Sequence, residues 1–92
     1  MNNPTRCVRF VVSGSVQGVG YRYATVQAAR GSGLAGWVRN RPDGTVEVIA
    51  RGTDAALAGF EQWLQRGPRM ARVAEVSSSA SDEPVSDGFS AR

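Results

Sequence analysis

The first element predicted by the pattern of apolar and polar positions is a strand over residues 7–13. Its sequence, CVRFVVS, puts Val8, Phe10 and Val12 at every second position, the spacing that brings side chains to one face of a sheet. The preceding residues 1–6 are polar and include a proline, so they predict a flexible N-terminus.

A glycine-rich stretch separates this strand from a predicted helix. Residues 14–20 contain three glycines, and residues 21–30 contain alanines, valine and glutamine in a run that favours a helix. The sequence Gly-Ser-Gly at 31–33 is typical of a helix end, because glycine adopts the backbone conformations that stop a helix. The first unit is therefore strand, glycine loop and helix.

A β-hairpin is predicted next. Residues 34–41 and 45–51 are candidate strands, the second with valines and an alanine at alternate positions. Between them residues 41–44 read Arg-Pro-Asp-Gly, in which the proline presets the first turn residue and the glycine accepts a positive φ. This spacing of turn residues joins the two strands as neighbours.

The next predicted element is a second helix over residues 54–65. Thr53 is placed to cap its N-terminus, and Leu57, Phe60 and Leu64 recur at helical spacing. A Gly-Pro pair follows the helix and ends it.

The last strand, over residues 70–78, is predicted from a weaker pattern. Val73 and Val76 do not fall on one alternating face, which indicates a bulge or an imperfect register. The tail over residues 77–90 is rich in serine and aspartate and has one large apolar residue, Phe89. We expect a loop there, with at most a short terminal strand.

The element order β-α-β-β-α-β restricts the architecture. With a hairpin in the middle and two right-handed crossovers, the compact solution is a ferredoxin-like α+β sandwich, with two helices on one face of an antiparallel sheet of four to five strands. Phe10, Trp37, Phe60 and Trp63 fall on the predicted buried sides, which favours packing over a platform for stacking bases.

Composition removes several chemistries. The 92 residues include 11 arginines but no lysine and no histidine, and their length fits one small domain over residues 7–92. Without lysine there is no Schiff base and no phosphate-loop lysine, and without histidine there is no imidazole base. A metal site would need carboxylate ligands alone, which argues against hydrolytic zinc chemistry. No metal and no other cofactor are expected.

The charge is distributed unevenly. Residues 1–72 carry a net charge of +6, and the remaining residues carry −3. The basic part favours an anionic ligand, either nucleic acid or a small phosphate. The single Cys7 has no internal disulfide partner, and no apolar run approaches the length of a membrane span. We therefore expect a cytoplasmic protein without a membrane partner.

Residues 14–22, GSVQGVGYR, are the first candidate site. Between a strand and a helix, unpaired backbone N–H groups and the positive end of the helix dipole face a common point, which suits a phosphate. Gly18 and Gly20 permit close approach of the backbone, and Arg22 adds a guanidinium. The spacing matches neither the nucleotide P-loop nor the dinucleotide fingerprint. On spacing alone, a phosphate site and a plain tight turn beside a solvated arginine are about equally well supported.

Two segments together carry a resemblance to a known family. Residues 14–22 and residues 36–48, GWVRNRPDGTVEV, are similar in sequence and order to the two signature segments of the acylphosphatases. The resemblance covers roughly residues 7–76. It implies an enzyme that cleaves the carboxyl-phosphate bond into a carboxylate and inorganic phosphate without a metal. Tyr21 stands where phenylalanine is usual, and the tail after Ser77 is less apolar than the family's last strand.

The resemblance also implies roles for individual residues. Arg22 and the loop amides would hold the phosphoryl group, and Asn40 would hold the attacking water through its side-chain amide. The leaving carboxylate has a reference pKa of about 4 and needs no general acid. Without the resemblance, Asn40 before a turn is more often a residue that bonds its own backbone. The loop amides in question belong to Gln17, Gly18, Val19, Gly20, Tyr21 and Arg22.

Two other interpretations stay open. A basic ferredoxin-like sheet can bind single-stranded RNA, but residues 46–50 lack the paired aromatic residues of such sheets, so no nucleic acid is expected. The chain could also be an accessory domain that handles carbamoyl phosphate for a larger enzyme, against which its 92-residue length argues. We expect a monomer. Its expected ligands are a small acyl phosphate as substrate and inorganic phosphate as product or competitive ligand. The sequence does not identify the physiological acyl group.

Overall fold

The computed structural model describes residues 4–92 of the chain. In that part of the chain, two helices and five strands follow one another as β1 Thr5–Ser15, α1 Tyr21–Gly31, β2 Ala35–Asn40, β3 Val46–Thr53, α2 Asp54–Arg66, β4 Arg72–Ala80 and β5 Phe89–Ala91. The strands form one sheet in the order β4-β1-β3-β2-β5. This is the ferredoxin-like α+β fold that the element order predicted.

The sheet is mixed, whereas a wholly antiparallel sheet was predicted. β1 pairs antiparallel with β3 and with β4, and β2 pairs antiparallel with β3. β5 lies parallel to β2, with Phe89 opposite Gly36 and Ala91 opposite Val38. The tail leaves β4 at one edge of the sheet and crosses to the other edge. There it runs beside β2 and in the same direction. The short terminal strand is confirmed, but its parallel direction departs from the antiparallel sheet that was predicted.

β1 begins earlier than the alternation indicated. Thr5 pairs with Thr53 and Arg6 with Gly52, so both residues belong to the sheet although they were assigned to a flexible terminus. The rest of β3 supplies a continuous antiparallel partner, and backbone pairing does not require apolar side chains. Residues 1–3 of the predicted terminus lie outside the described residues.

Gly14 lies in β1 and not in the glycine loop to which the sequence pattern assigned it. Its φ is 122°, and a Cβ there would come within 2.2 Å of the Arg72 carbonyl oxygen, so the close approach of β4 requires glycine. The pairing of β1 with β4 shifts register between Ser13 and Gly14. The predicted irregularity is therefore confirmed, and it allows Val73 and Val76 to pack against the same core.

The main core lies between the sheet and the two helices. Phe10 and Phe60 pack edge to face with ring centroids 5.8 Å apart, and Trp63 packs half-buried against the same cluster, as predicted. The Thr53 hydroxyl accepts a hydrogen bond of 3.2 Å from the Ala56 amide, which confirms the predicted helix cap. The fold thus holds α1 and α2 against one face and fixes the ends of β1 and β2 beside each other.

Trp37 is buried on the opposite face of the sheet. It alternates along β2 with the core residue Val38, and it packs beneath the guanidinium groups of Arg39 and Arg92 at 5.5 and 4.2 Å from the ring centre. Its burial was predicted, but its surroundings are two arginines and not the helix layer.

Residues 81–88 connect β4 to β5 across the sheet. The segment forms hydrogen bonds with Cys7 of β1, Arg51 of β3 and Gly36 of β2 in turn. These contacts bring Phe89 to the far edge, where its side chain enters the main core and is 3% exposed. The acidic tail therefore joins the basic body as part of the fold.

Candidate active site

The loop between β1 and α1 consists of residues 16–20. Val16 anchors it in the core, while Gly18 and Gly20 have φ angles of 75° and 79°. A Cβ on either glycine would meet nothing within 4 Å, so the left-handed backbone is the reason for glycine at both positions. Gly20 is the N-cap of α1 and has no side-chain acceptor, and no acidic residue lies in the first turn. The helix therefore presents its first amides and positive dipole end to an external anion.

Arg22 and Asn40 line the same cavity at this helix end. The cavity has a volume of about 160 Å³, and both side chains are exposed at its edge. Asn40 is the last residue of β2, and Arg22 lies in the first turn of α1. The remaining lining residues are Val16, Gly18, Gly20, Tyr21 and Tyr23. The fold thus brings together the two residues that the sequence singled out from different elements.

Gln17 does more than the sequence predicted for it. Its Nε2 donates hydrogen bonds of 2.8 Å to the Arg41 carbonyl oxygen and 2.9 Å to the Thr45 carbonyl oxygen. These two carbonyls lie on either side of the hairpin turn, and the turn begins directly after Asn40. The Gln17 side chain therefore ties the glycine loop to the turn that carries Asn40, a contact that the spacing alone did not reveal.

Within the turn, Asp43 stabilises its own backbone. Its Oδ1 accepts hydrogen bonds from the Thr45 hydroxyl at 2.6 Å and from the Thr45 amide at 3.0 Å. The side-chain hydrogen bond from Thr45 is the main cause of a lowered pKa for this exposed carboxyl group. Asp43 therefore stabilises the turn, in line with its place in a Pro-Asp-Gly turn sequence.

Tyr21 is deeply buried, so the hydroxyl that distinguishes it from phenylalanine needs a partner. The ring is 1% exposed, and its hydroxyl donates a 2.7 Å hydrogen bond to the Leu64 carbonyl oxygen. Leu64 lies in the last turn of α2, where carbonyls lack partners within the helix. Burial raises the pKa of the Tyr21 phenol well above its ordinary value. The phenol thus joins the start of α1 to the end of α2.

The tail reaches Arg22, which the sequence did not predict. The Arg22 Nη1 donates a 2.8 Å hydrogen bond to the main-chain carbonyl oxygen of Arg92, while the Arg92 guanidinium lies over Trp37. Arg30 of α1 also donates a 3.1 Å hydrogen bond to the Phe89 carbonyl oxygen. The tail, which the sequence predicted mainly as a loop, therefore contacts the candidate catalytic arginine. The sole sequence signal was the isolated apolar Phe89.

The described residues offer few ligands for a cation. Among residues 4–92, no three cysteine, aspartate or glutamate side chains converge in a group that could hold a metal ion. Within the same range, neither helix is long and apolar enough to cross a membrane.

Comparison with solved structures identifies close relatives of the fold. A crystal structure of an acylphosphatase from Bacillus subtilis is 37% identical with a TM-score of 0.89, covering 97% of this chain and 99% of that one. An acylphosphatase from Coxiella burnetii is 34% identical with a TM-score of 0.87, covering 96% and 93%. Full-length HypF is 17% identical with a TM-score of 0.87 over only 12% of its chain, which shows the fold alone.

Sequence comparison agrees with the structural one. The family model for acylphosphatase matches residues 8–91. The acylphosphatase of Xanthomonas euvesicatoria is 50% identical over 91% of this chain and 96% of its own. The acylphosphatase of Bordetella parapertussis is 49% identical over 83% and 81% of the two chains. The chain therefore belongs to the acylphosphatase family of enzymes.

Proposed function

We propose that this enzyme hydrolyses acyl phosphates without a metal, with Arg22 and the loop amides binding the phosphoryl group and Asn40 orienting the attacking water. The observation that carries the proposal is the single cavity shared by Arg22, Asn40 and the N-terminus of α1. Family membership supports the reaction class, and the geometry supports the division of roles.

The phosphoryl group is bound by positive charge and by directed N–H groups. The loop residues 17–20 lead directly into the uncapped start of α1, where the helix dipole favours an anion. Arg22 contributes a planar guanidinium whose several donors match phosphate oxygens. These donors are fixed before the substrate arrives, so they stabilise the charge that spreads over the phosphoryl oxygens in the transition state.

The water is oriented by Asn40 on the side of the hairpin. Water attacks phosphorus in line with the departing acyl oxygen, so a new bond from water oxygen to phosphorus forms as the bond from phosphorus to acyl oxygen breaks. The electron pair of the broken bond leaves with the carboxylate. A water proton passes to a phosphoryl oxygen of the substrate, which yields dihydrogen phosphate. The reaction balances without a base from the protein.

Metal independence follows from the leaving group and from the available side chains. A carboxylate is stable at neutral pH without protonation, so neither a general acid nor a Lewis acid is needed to expel it. Arg22 supplies positive charge at the phosphoryl group, and the chain has no histidine to hold a hydrolytic metal.

A nucleic-acid function has little support on the open face of the sheet. Single-stranded nucleic acids stack on exposed aromatic rings, but Trp37 is covered by Arg39 and Arg92. Among the described residues, the exposed large apolar side chains are Tyr23 and Met70, and neither lies on a strand. We further propose a cytoplasmic monomer that binds neither nucleic acid nor membrane. Light scattering of the purified chain tests the monomer directly.

The decisive assay compares two substrates in the presence of a chelator. Acetyl phosphate should be hydrolysed at an undiminished rate with chelator, while glycerol phosphate should not be hydrolysed, because its alkoxide leaving group requires a general acid. Inorganic phosphate should inhibit competitively. Loss of activity with chelator would contradict metal independence. Tight binding of a single-stranded oligonucleotide, with no response to phosphate, would contradict the enzymatic role of the cavity.

A further inference from the structure

A groove between the two helices opens beside the candidate phosphate site. Its volume is about 730 Å³, compared with about 160 Å³ for the cavity at Arg22. It is lined by Tyr23 and Ala24 of α1 and by Gly59, Phe60 and Trp63 of α2, among others. Tyr23 is the residue that lines both spaces. The groove and the phosphate site therefore meet at one side chain.

The groove exists because small residues leave space between the two helices at this point. Ala24 faces it from α1, and a Cβ placed on Gly59 of α2 would meet nothing within 4 Å. Aromatic rings form its inner surface, since Phe60 is buried and Trp63 half-buried, with their planes 7° apart and centroids separated by 6.4 Å. A flat apolar group entering the groove would cover the part of the Trp63 ring that is still exposed to water.

Tyr23 is an unusually exposed aromatic residue at the junction. Its relative exposure is 71%, and its ring is not part of the core. A second large apolar residue with similar exposure, Met70 at 73%, lines neither the cavity nor the groove. Tyr23 thus offers a free apolar surface at the place where a ligand would leave the phosphate site.

The volumes of the cavity and of the groove indicate which part of a substrate each can hold. Pockets that enclose small-molecule ligands are typically about 300–1,000 Å³, so the cavity at Arg22 is small and suits a phosphoryl group with its water. The acyl part of a larger substrate needs further space, and the groove has it within reach of Tyr23.

We infer that the acyl group of the substrate packs against Tyr23 and extends into the groove between α1 and α2, so that Tyr23 is a specificity-determining residue that favours aromatic acyl groups. This inference rests on the proposed function, because it assumes that the phosphoryl group occupies the cavity at Arg22. An acetyl group offers one methyl group for contact, whereas a benzoyl group offers a ring that can pack against the Tyr23 phenol.

The first test compares benzoyl phosphate with acetyl phosphate as a ratio of kcat/KM values. Aromatic pairs contribute about 0.5–1.5 kcal/mol beyond their buried area, so Tyr23→Ala should lower the benzoyl-to-acetyl ratio by about two- to twelvefold. Tyr23→Phe should retain the wild-type ratio, because the contact needs the ring and not the hydroxyl. Met70→Ala removes an equally exposed apolar side chain outside both spaces and should leave the ratio unchanged.

The second test fills the groove without altering Tyr23. Gly59→Leu adds bulk inside the groove and should also lower the benzoyl-to-acetyl ratio, while it improves helix propensity and so retains the fold. Ala58→Leu adds similar bulk at the preceding position of α2, outside the groove, and should leave the ratio unchanged. This pair carries the test if Tyr23→Ala is poorly produced.

The possible outcomes separate this inference from the proposed function. If the wild type hydrolyses both substrates but the ratio stays constant in Tyr23→Ala and in Gly59→Leu, the acyl-binding groove is wrong and the proposed function stands. Equal changes in Gly59→Leu and Ala58→Leu also overturn the groove. If the wild type hydrolyses neither acyl phosphate, the proposed function fails, and the acyl site fails with it.

Discussion

The glycine loop and the acidic tail meet at Arg22, but different interactions hold them there. The loop takes its shape from its own residues, since Gly18 and Gly20 adopt left-handed φ angles between two regular elements. The tail is held by distant partners, with Phe89 in the core and its last carbonyl bonded to Arg22, 70 residues away. The candidate catalytic groups are thus local in origin, while the tail that contacts Arg22 is placed by long-range packing.

Removing the anchor of the tail tests the long-range half of this comparison and should have the largest effect. Phe89 is 3% exposed and packs edge to face on Phe60 at 6.2 Å, so Phe89→Ala should lower the free energy of unfolding by about 3–5 kcal/mol. Urea unfolding measures this loss. The neighbouring Ser90 is exposed, and Ser90→Ala should change stability little. A stable Phe89→Ala variant with wild-type turnover would show that Arg22 does not depend on the tail.

Removing the guanidinium tests the local half. Arg22→Ala should lower kcat/KM for acetyl phosphate by about 10²–10³-fold, because a preorganised donor at a developing anion is lost. Arg22→Lys should also be severe, since an ammonium lacks the planar donor pair. Arg69→Ala removes an exposed arginine outside the cavity and should retain activity. Near wild-type turnover of Arg22→Ala, with folding intact, would refute the assigned role.

Gln17 combines local and long-range interactions. It lies in the glycine loop, but its side chain bonds to residues that are 24 and 28 positions away in the sequence. Gln17→Ala removes two hydrogen bonds, each contributing about 0.5–1.5 kcal/mol, and frees the turn after Asn40. We expect a lower kcat with little change in the inhibition constant of phosphate, because in the proposed mechanism Asn40 orients water and does not hold the anion. Gln65→Ala, at an exposed position of α2, provides the control. A loss confined to phosphate affinity would assign Gln17 to anion binding.

Tyr21 should have the smallest effect, because its ring and not its hydroxyl fills the core. Tyr21→Phe removes the hydrogen bond to Leu64 and should lower the free energy of unfolding by about 1 kcal/mol at neutral pH. Its pKa is raised by burial above the ordinary 10.0, so above that pH the unfolded state loses a proton that the folded state retains. Wild-type stability should therefore fall as pH rises above 10.0, and more steeply than that of Tyr21→Phe. Parallel stability curves would contradict the buried phenol.

Several elements were predictable because the residues that form them are close together in sequence. The Pro-Asp-Gly turn, the Thr53 cap and the glycine loop depend on φ preferences and hydrogen bonds within a few residues. The residues Arg22 and Asn40 were recognised from two segments similar to a family, and the spacing of either segment alone left their roles open. Local chemistry and resemblance thus identified the candidates but not their surroundings.

Other features depended on contacts that no sequence pattern displays. Gly14 had to be glycine because of the Arg72 carbonyl in another strand, and the burial of Trp37 needed Arg92 from the tail. The parallel pairing of β5 with β2 followed from the route of residues 81–88 across the sheet.

The sequence by itself determined the order of the elements and the left-handed glycines of the loop, and its lack of lysine and histidine excluded the chemistries that need those side chains. The tertiary structure decided which surfaces meet: the cavity shared by Arg22 and Asn40, the Gln17 link to the hairpin and the tail against Arg22. The physical reason is that backbone preferences and side-chain chemistry act over a few residues. Burial and hydrogen-bond partners are set only when distant segments pack together.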